Sequence, residues 1–233
     1  MIKRPGAELA TRPLNFYWVV DCSGSMYGEK IGTVSHAIQS VVPEMQHAAD
    51  ENPSAQLFVQ TLKFSSGATW VNPEPVKVEN FYWQDLGVDG LTDMGKAFEL
   101  LAGQLSVGNM GEKALPPVLV LLTDGHPTDD YKPALDKLLN LPWGKKAVRI
   151  AIAIGQDCNE AVLEEFTGNR ELVLHANSAA DLVRMIKWAS TAASMVSQPK
   201  SMAASDGASP LTTLIDVNQI PVPDMNIAVD DVW

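Results

Sequence analysis

Apolar positions along the chain fall into two kinds of run. The first kind is continuous: "LNFYWVVD" from Leu14 to Asp21, and "PPVLVLLTDG" from Pro116 to Gly125, hold aromatic and branched residues without alternation. A strand with one wet face alternates, so these runs predict strands covered on both faces, as in a parallel sheet. The second kind recurs every three or four residues. Ile31, Val34, Ile38, Val41, Met45 and Ala48 keep that spacing from Lys30 to Asp50 and predict a helix, which Pro43 is expected to kink or divide.

The same reading extends down the chain. "AQLFVQTLKF" and "ATWVNP" read as two strands, with a hairpin around Ser65, Ser66 and Gly67. "LTDMGKAFELLAGQL" is helical from about Asp93, with Thr92 expected as its cap. "YKPALDKLLNL" follows as a helix, "AVRIAIAIG" as a strand, "NEAVLEEFTG" as a short helix ending at Gly168, and "RELVLHA" as a last strand. Ser178 opens a final helix whose stripe is Leu182, Val183, Ile186, Ala189, Ala193 and Val196. Strands alternating with helices imply right-handed crossovers, hence a doubly wound α/β sheet, mostly parallel with helices on both faces. The organisation expected is an extension over residues 1–13, one domain over 14–196, and a linker and acidic, apolar tail over 197–233. For that tail the expectation is disorder, or addition of "LTTLIDV" or "MNIAV" to a sheet edge.

Both buried strands end in the same chemistry. Asp21 closes the first and is followed by Ser23 and Ser25 around Gly24; Thr123 and Asp124 close the second. Ligands of a doubly wound sheet bind beyond the carboxyl ends of its strands. Hydroxyls and carboxylates gathered there, without Cys or His, make an all-oxygen pocket suited to a hard cation such as magnesium or manganese.

"DCSGSM" resembles the D-x-S-x-S motif of von Willebrand factor A domains. Thr92 in "LTDMGKAF" is similar to that family's T-x-x-G-x-A loop, and Asp124 in "LLTDGHPTDD" to its T-D-G loop. The resemblance covers roughly Leu14 to Val196. It implies the von Willebrand factor A fold, with one antiparallel edge strand, and a metal-ion-dependent adhesion site with Asp21, Ser23, Ser25, Thr92 and Asp124 as ligands of Mg2+ or Mn2+. It also implies a non-enzymatic, protein-binding role, in which a Glu or Asp carboxylate of a partner fills the open position on the ion. Within the family, "LLTDGHPTDDY" and "LVRMIKWAS" are similar to the TerY-like proteins of bacterial tellurite-resistance and stress-response systems. That likeness implies a PP2C-type phosphatase or a protein kinase as partner.

Composition narrows the alternatives. A formal charge of −11 with scattered Lys and Arg argues against nucleic acid as a partner. No apolar run reaches the ~18–20 residues needed to span a bilayer, and no secretory signal is recognisable, so a cytoplasmic protein is expected. Cys22 and Cys158, the two cysteines, are expected as free thiols, with Cys22 in the core. The competing reading is a metal-dependent phosphoesterase in which His126, beside Asp124, moves a proton. His36 and His47 are assigned to surface or packing, His175 to packing. "NFYW" at Asn80 to Trp83 is expected to pack, with a partner-contact patch as the alternative.

Overall fold

The computed structural model describes residues 11–52, 55–111 and 113–197. The expected tail, apart from Ser197, which ends the last helix, and most of the expected amino-terminal extension lie outside these residues. In chain order the elements are β1 (Arg12–Asp21), α1 (Glu29–Asp50), β2 (Ala55–Ser65), β3 (Gly67–Trp70), β4 (Val76–Lys77), α2 (Met94–Gln104) and α3 (Val107–Met110). They continue with β5 (Val118–Thr123), α4 (Lys132–Asn140), α5 (Pro142–Lys146), β6 (Val148–Ile154), α6 (Glu160–Thr167), β7 (Val173–Ala176) and α7 (Ala179–Ser197). The sheet runs β3-β2-β1-β5-β6-β7. β2, β1, β5, β6 and β7 are mutually parallel, and β3 is the antiparallel edge. The two-residue β4 also pairs antiparallel with β2.

Continuous apolar runs became the central strands because both faces are covered. Phe16, Trp18 and Val20 of β1 pack into the layer that holds α1 and α7. Tyr17 and Val19 pack into the opposite layer, with α2, α4 and α6. Every residue of β5 is buried. Because successive side chains of a strand point to opposite faces, a polar residue in the middle of β1 or β5 would enter one layer or the other. Polar chemistry is thereby pushed to the strand ends.

Several local expectations change. α1 is one continuous helix through Pro43, whose ring lies on the exposed face. Solvent can serve the carbonyl left without an amide partner there. β1 begins two residues before the predicted run, and Arg12 donates from Nε to Lys113 O (2.9 Å) and from Nη2 to Ala114 O (3.0 Å). "ATWVNP" is extended only as far as Trp70, and the first half of "RELVLHA" is a turn of 3-10 helix over Arg170–Leu172. Ser178 caps α7 as expected, its Oγ accepting from Asp181 N at 3.2 Å. His175 does not pack: it is exposed, 3.8 Å from Glu160. "NFYW" divides, with Phe81 buried, Tyr82 exposed and Trp83 packed against the core layer of α1.

Candidate metal centre

β1 and β5 are neighbours, yet the chain leaves them for different faces: α1 lies in one layer, and α4 in the other. That divergence opens a crevice beyond their carboxyl ends, and Asp21 and Asp124 stand at its two sides. Asp21 is fully buried and held at both oxygens. Its Oδ1 accepts from Ser23 N at 2.8 Å and its Oδ2 from Thr123 Oγ1 at 2.5 Å. Burial pushes its carboxyl above the ordinary range against those hydrogen bonds, and the neighbouring Asp124 pushes the same way.

After Asp21 the chain makes a 3-10 turn over Gly24–Met26, with Met26 N donating to Ser23 O at 3.0 Å. The fully buried Met26 anchors the turn, and Ser23 and Ser25 then face each other with Oγ atoms 3.0 Å apart. Ser25 Oγ donates to Asp124 Oδ1 at 2.7 Å, and Lys30 Nζ donates to Asp124 Oδ2 at 2.7 Å. A hydroxyl chain thus links the β1 loop to the β5 loop.

Thr92 completes the cluster from the third loop. A Cβ built on Gly125 would lie 3.8 Å from Thr92 Oγ1 and 3.9 Å from Ser25 Oγ, so both hydroxyls border Gly125. Thr92 does not cap α2. Its amide donates to Thr128 Oγ1 (2.9 Å) and its carbonyl accepts from Thr128 N (2.9 Å), which ties the Thr92 loop to the segment after Asp124. The cap comes from Asp129, whose Oδ1 accepts from Gly95 N at 2.9 Å and Oδ2 from Lys96 N at 3.1 Å. A carboxylate on free helix amides is favoured by hydrogen bonding and by the dipole.

Gly24 accounts for the turn less than expected: a Cβ there would meet only Gly90 O, at 3.6 Å. Gly90 is the demanding position. Its φ is 78°, a Cβ on it would fall 2.4 Å from Ser66 Oγ, and its carbonyl accepts from Gly24 N at 3.1 Å.

All five residues singled out from the sequence therefore lie at this crevice. Lys30, Thr128 and Asp129 were not singled out, and Thr123 was read only as the polar end of its strand, although one signal for Lys30 was available. A cation in the first turn of a helix opposes the helix dipole and calls for a compensating anion. His126, by contrast, is exposed, and no hydrogen bond or ion pair among the described residues holds its ring. Both thiols are free, and burial pushes each up to about 12, so neither is a thiolate near neutral pH. Cys158 Sγ donates to Thr123 O at 3.1 Å and braces the end of β5. Among the described residues no group of three or more His, Cys, Asp or Glu gathers as a metal cage. The cluster at the crevice is instead three hydroxyls with two carboxylates.

A doubly wound α/β domain with hydroxyls and carboxylates from three loops beyond its carboxyl strand ends is the architecture of one known family of domains. The chain belongs to the von Willebrand factor type A domain family, whose model matches residues 15–187. Domains of this family commonly carry a metal-ion-dependent adhesion site, which binds a divalent cation and engages protein partners. Inter-alpha-trypsin inhibitor heavy chain H4 of Bos taurus is 30% identical over 174 residues, 68% of this chain and 18% of that protein. The chain thus spans under one fifth of that relative's length. The pilus adhesin SpaC of Lactobacillus rhamnosus GG superposes with a TM-score of 0.64 at 16% identity, over 79% of this chain and 31% of the other. Proximal thread matrix protein 1 from the mussel byssus, in a structure whose MIDAS motif is occupied by zinc, gives 0.57 at 20% identity, over 81% and 50%. These two likenesses establish the fold. No helix among the described residues is long and apolar enough to cross a membrane.

Proposed function

We propose that Asp21, Ser23, Ser25, Thr92 and Asp124 hold one divalent cation, through which the domain captures an acidic side chain of a partner protein. The observation that carries this reading is the contact chain Ser23 Oγ to Ser25 Oγ to Asp124 Oδ1, at 3.0 and 2.7 Å, with Thr92 Oγ1 bordering the neighbouring Gly125. The donor chemistry fits a hard ion, since every group is oxygen. It fits Mg2+ or Mn2+ better than zinc, which favours nitrogen and sulfur ligands. The position beside Asp124 also already attracts a cation, the Lys30 ammonium.

The bound ion would supply a Lewis-acidic coordination position facing solvent. The chain's own groups do the rest. Asp21, locked by Ser23 N and Thr123 Oγ1, keeps the β1 turn in register, while Ser23 and Ser25 present neutral oxygens that leave positive charge uncancelled for an incoming carboxylate. The TerY-like setting, in the cytoplasm with a phosphatase or kinase as partner, belongs to the same proposal and rests on the sequence resemblance.

Panning a random peptide library on the immobilised protein in millimolar Mn2+ tests the reading. Retained peptides share a Glu or Asp at one position, lose binding when it becomes Gln or Asn, and elute with a chelator. Retention indifferent to chelator contradicts it.

A further inference from the structure

Lys30 is the one cation among the described residues paired with either carboxylate of the crevice. It stands in the first turn of α1, against the helix dipole, with its side chain 26% exposed. Its Nζ lies 2.7 Å from Asp124 Oδ2, and the Asp124 side chain is fully buried. This is no solvent-screened surface pair, because one partner has no water of its own. The two Asp124 oxygens are thus divided: Oδ1 faces Ser25 Oγ within the hydroxyl chain, and Oδ2 faces the ammonium.

We infer that Lys30 is an internal competitor for the cation, a tethered positive charge that neutralises Asp124 before the ion arrives and holds the site's affinity down. The inference rests on the metal-binding reading of the same cluster. An ion seated among Ser23, Ser25, Thr92 and Asp124 sits within a few ångströms of the ammonium, and like charges at that range repel strongly in a partly buried crevice. Loading therefore requires Lys30 to leave Asp124 or to endure the repulsion. Its side chain is exposed enough to swing outward, toward the rim where a partner's carboxylate would approach. Ion and acidic partner then assist each other: the ion releases Lys30 from Asp124, and the partner supplies the anion the ammonium has lost. A site built this way stays weakly loaded until an acidic ligand is present.

Isothermal titration of the full chain with Mn2+ alone reads the effect directly. Lys30→Met and Lys30→Gln bind Mn2+ at least about tenfold more tightly than the wild type, a difference of about 1.4 kcal/mol. Lys30→Arg, which keeps the charge, stays near the wild-type value. A neutral variant with wild-type or weaker affinity overturns the inference while leaving the metal reading standing, since it makes Lys30 inert or a support for Asp124. Absence of Mn2+ binding by the wild type and every variant overturns both.

Discussion

Asp21→Asn raises the melting temperature of the metal-free protein at neutral pH and removes most of the stabilisation that a divalent cation confers. The first half follows from burial. The Asp21 carboxyl titrates above its ordinary range in the folded chain, so between the unfolded and folded values the native state binds more protons. Stability accordingly falls as pH rises through that window, and ionised Asp21 is a net cost above it. Asparagine keeps the shape: its carbonyl accepts from Ser23 N and its amide faces Thr123 Oγ1, without the charge. Each kcal/mol so relieved is worth about 2–4 °C in a domain of this size.

The second half follows from the ion's need for that charge. Wild-type protein at about 100 times the dissociation constant gains roughly 2.7 kcal/mol, or about 5–11 °C. Loss even of a hydrogen-bond partner of a metal ligand costs about 10–100-fold in affinity. At a hundredfold loss the gain shrinks to about 0.4 kcal/mol. Differential scanning calorimetry with and without Mn2+ measures both halves. An unchanged metal-induced shift in the variant would remove Asp21 from the ligand set.

Gly95→Ala should be a damaging one-carbon change near the site. The added Cβ would stand 2.8 Å from Asp129 Oδ2 and 2.9 Å from Tyr131 Cα. The second of these is backbone and cannot rotate aside. The start of α2 must back away from the segment after Asp124, stretching the Asp129 cap and the Thr92–Thr128 ties together. Overpacking of this kind costs about 1–3 kcal/mol, a fall of about 2–12 °C, and the displaced Thr92 lowers cation affinity by at least about tenfold. Gly103→Ala is the control. It lies on the same helix with open space around its added carbon, and should be stabilising by about 0.5–1 kcal/mol. Equal melting temperatures for the two variants would show the Gly95 approach to be looser than described.

The central strands and the D-x-S-x-S turn were legible because both depend on local pattern, whereas Thr92 entered the proposed ligand set only through the family resemblance. An unbroken apolar run can be satisfied only by cover on both faces, and D-x-S-x-S places its hydroxyls on one short turn. What escaped was decided between segments distant in sequence. Thr92 looks like a helix cap until Asp129, 37 positions on, offers a charged acceptor to the same helix end. Gly24 looks like the necessary glycine until Gly90 is seen wedged against Ser66. Pro43 looked like a break, but its ring faces solvent, and packing on either side holds the helix through it.

Crystals grown or soaked in excess Mn2+, with anomalous data collected at the manganese edge, test the central claim most directly. The account predicts one peak in the crevice beyond β1 and β5, within bonding distance of Ser23 Oγ, Ser25 Oγ and Asp124, and Lys30 withdrawn from Asp124 Oδ2. A crevice with no peak at saturating manganese, or a peak bound only elsewhere on the domain, would contradict it.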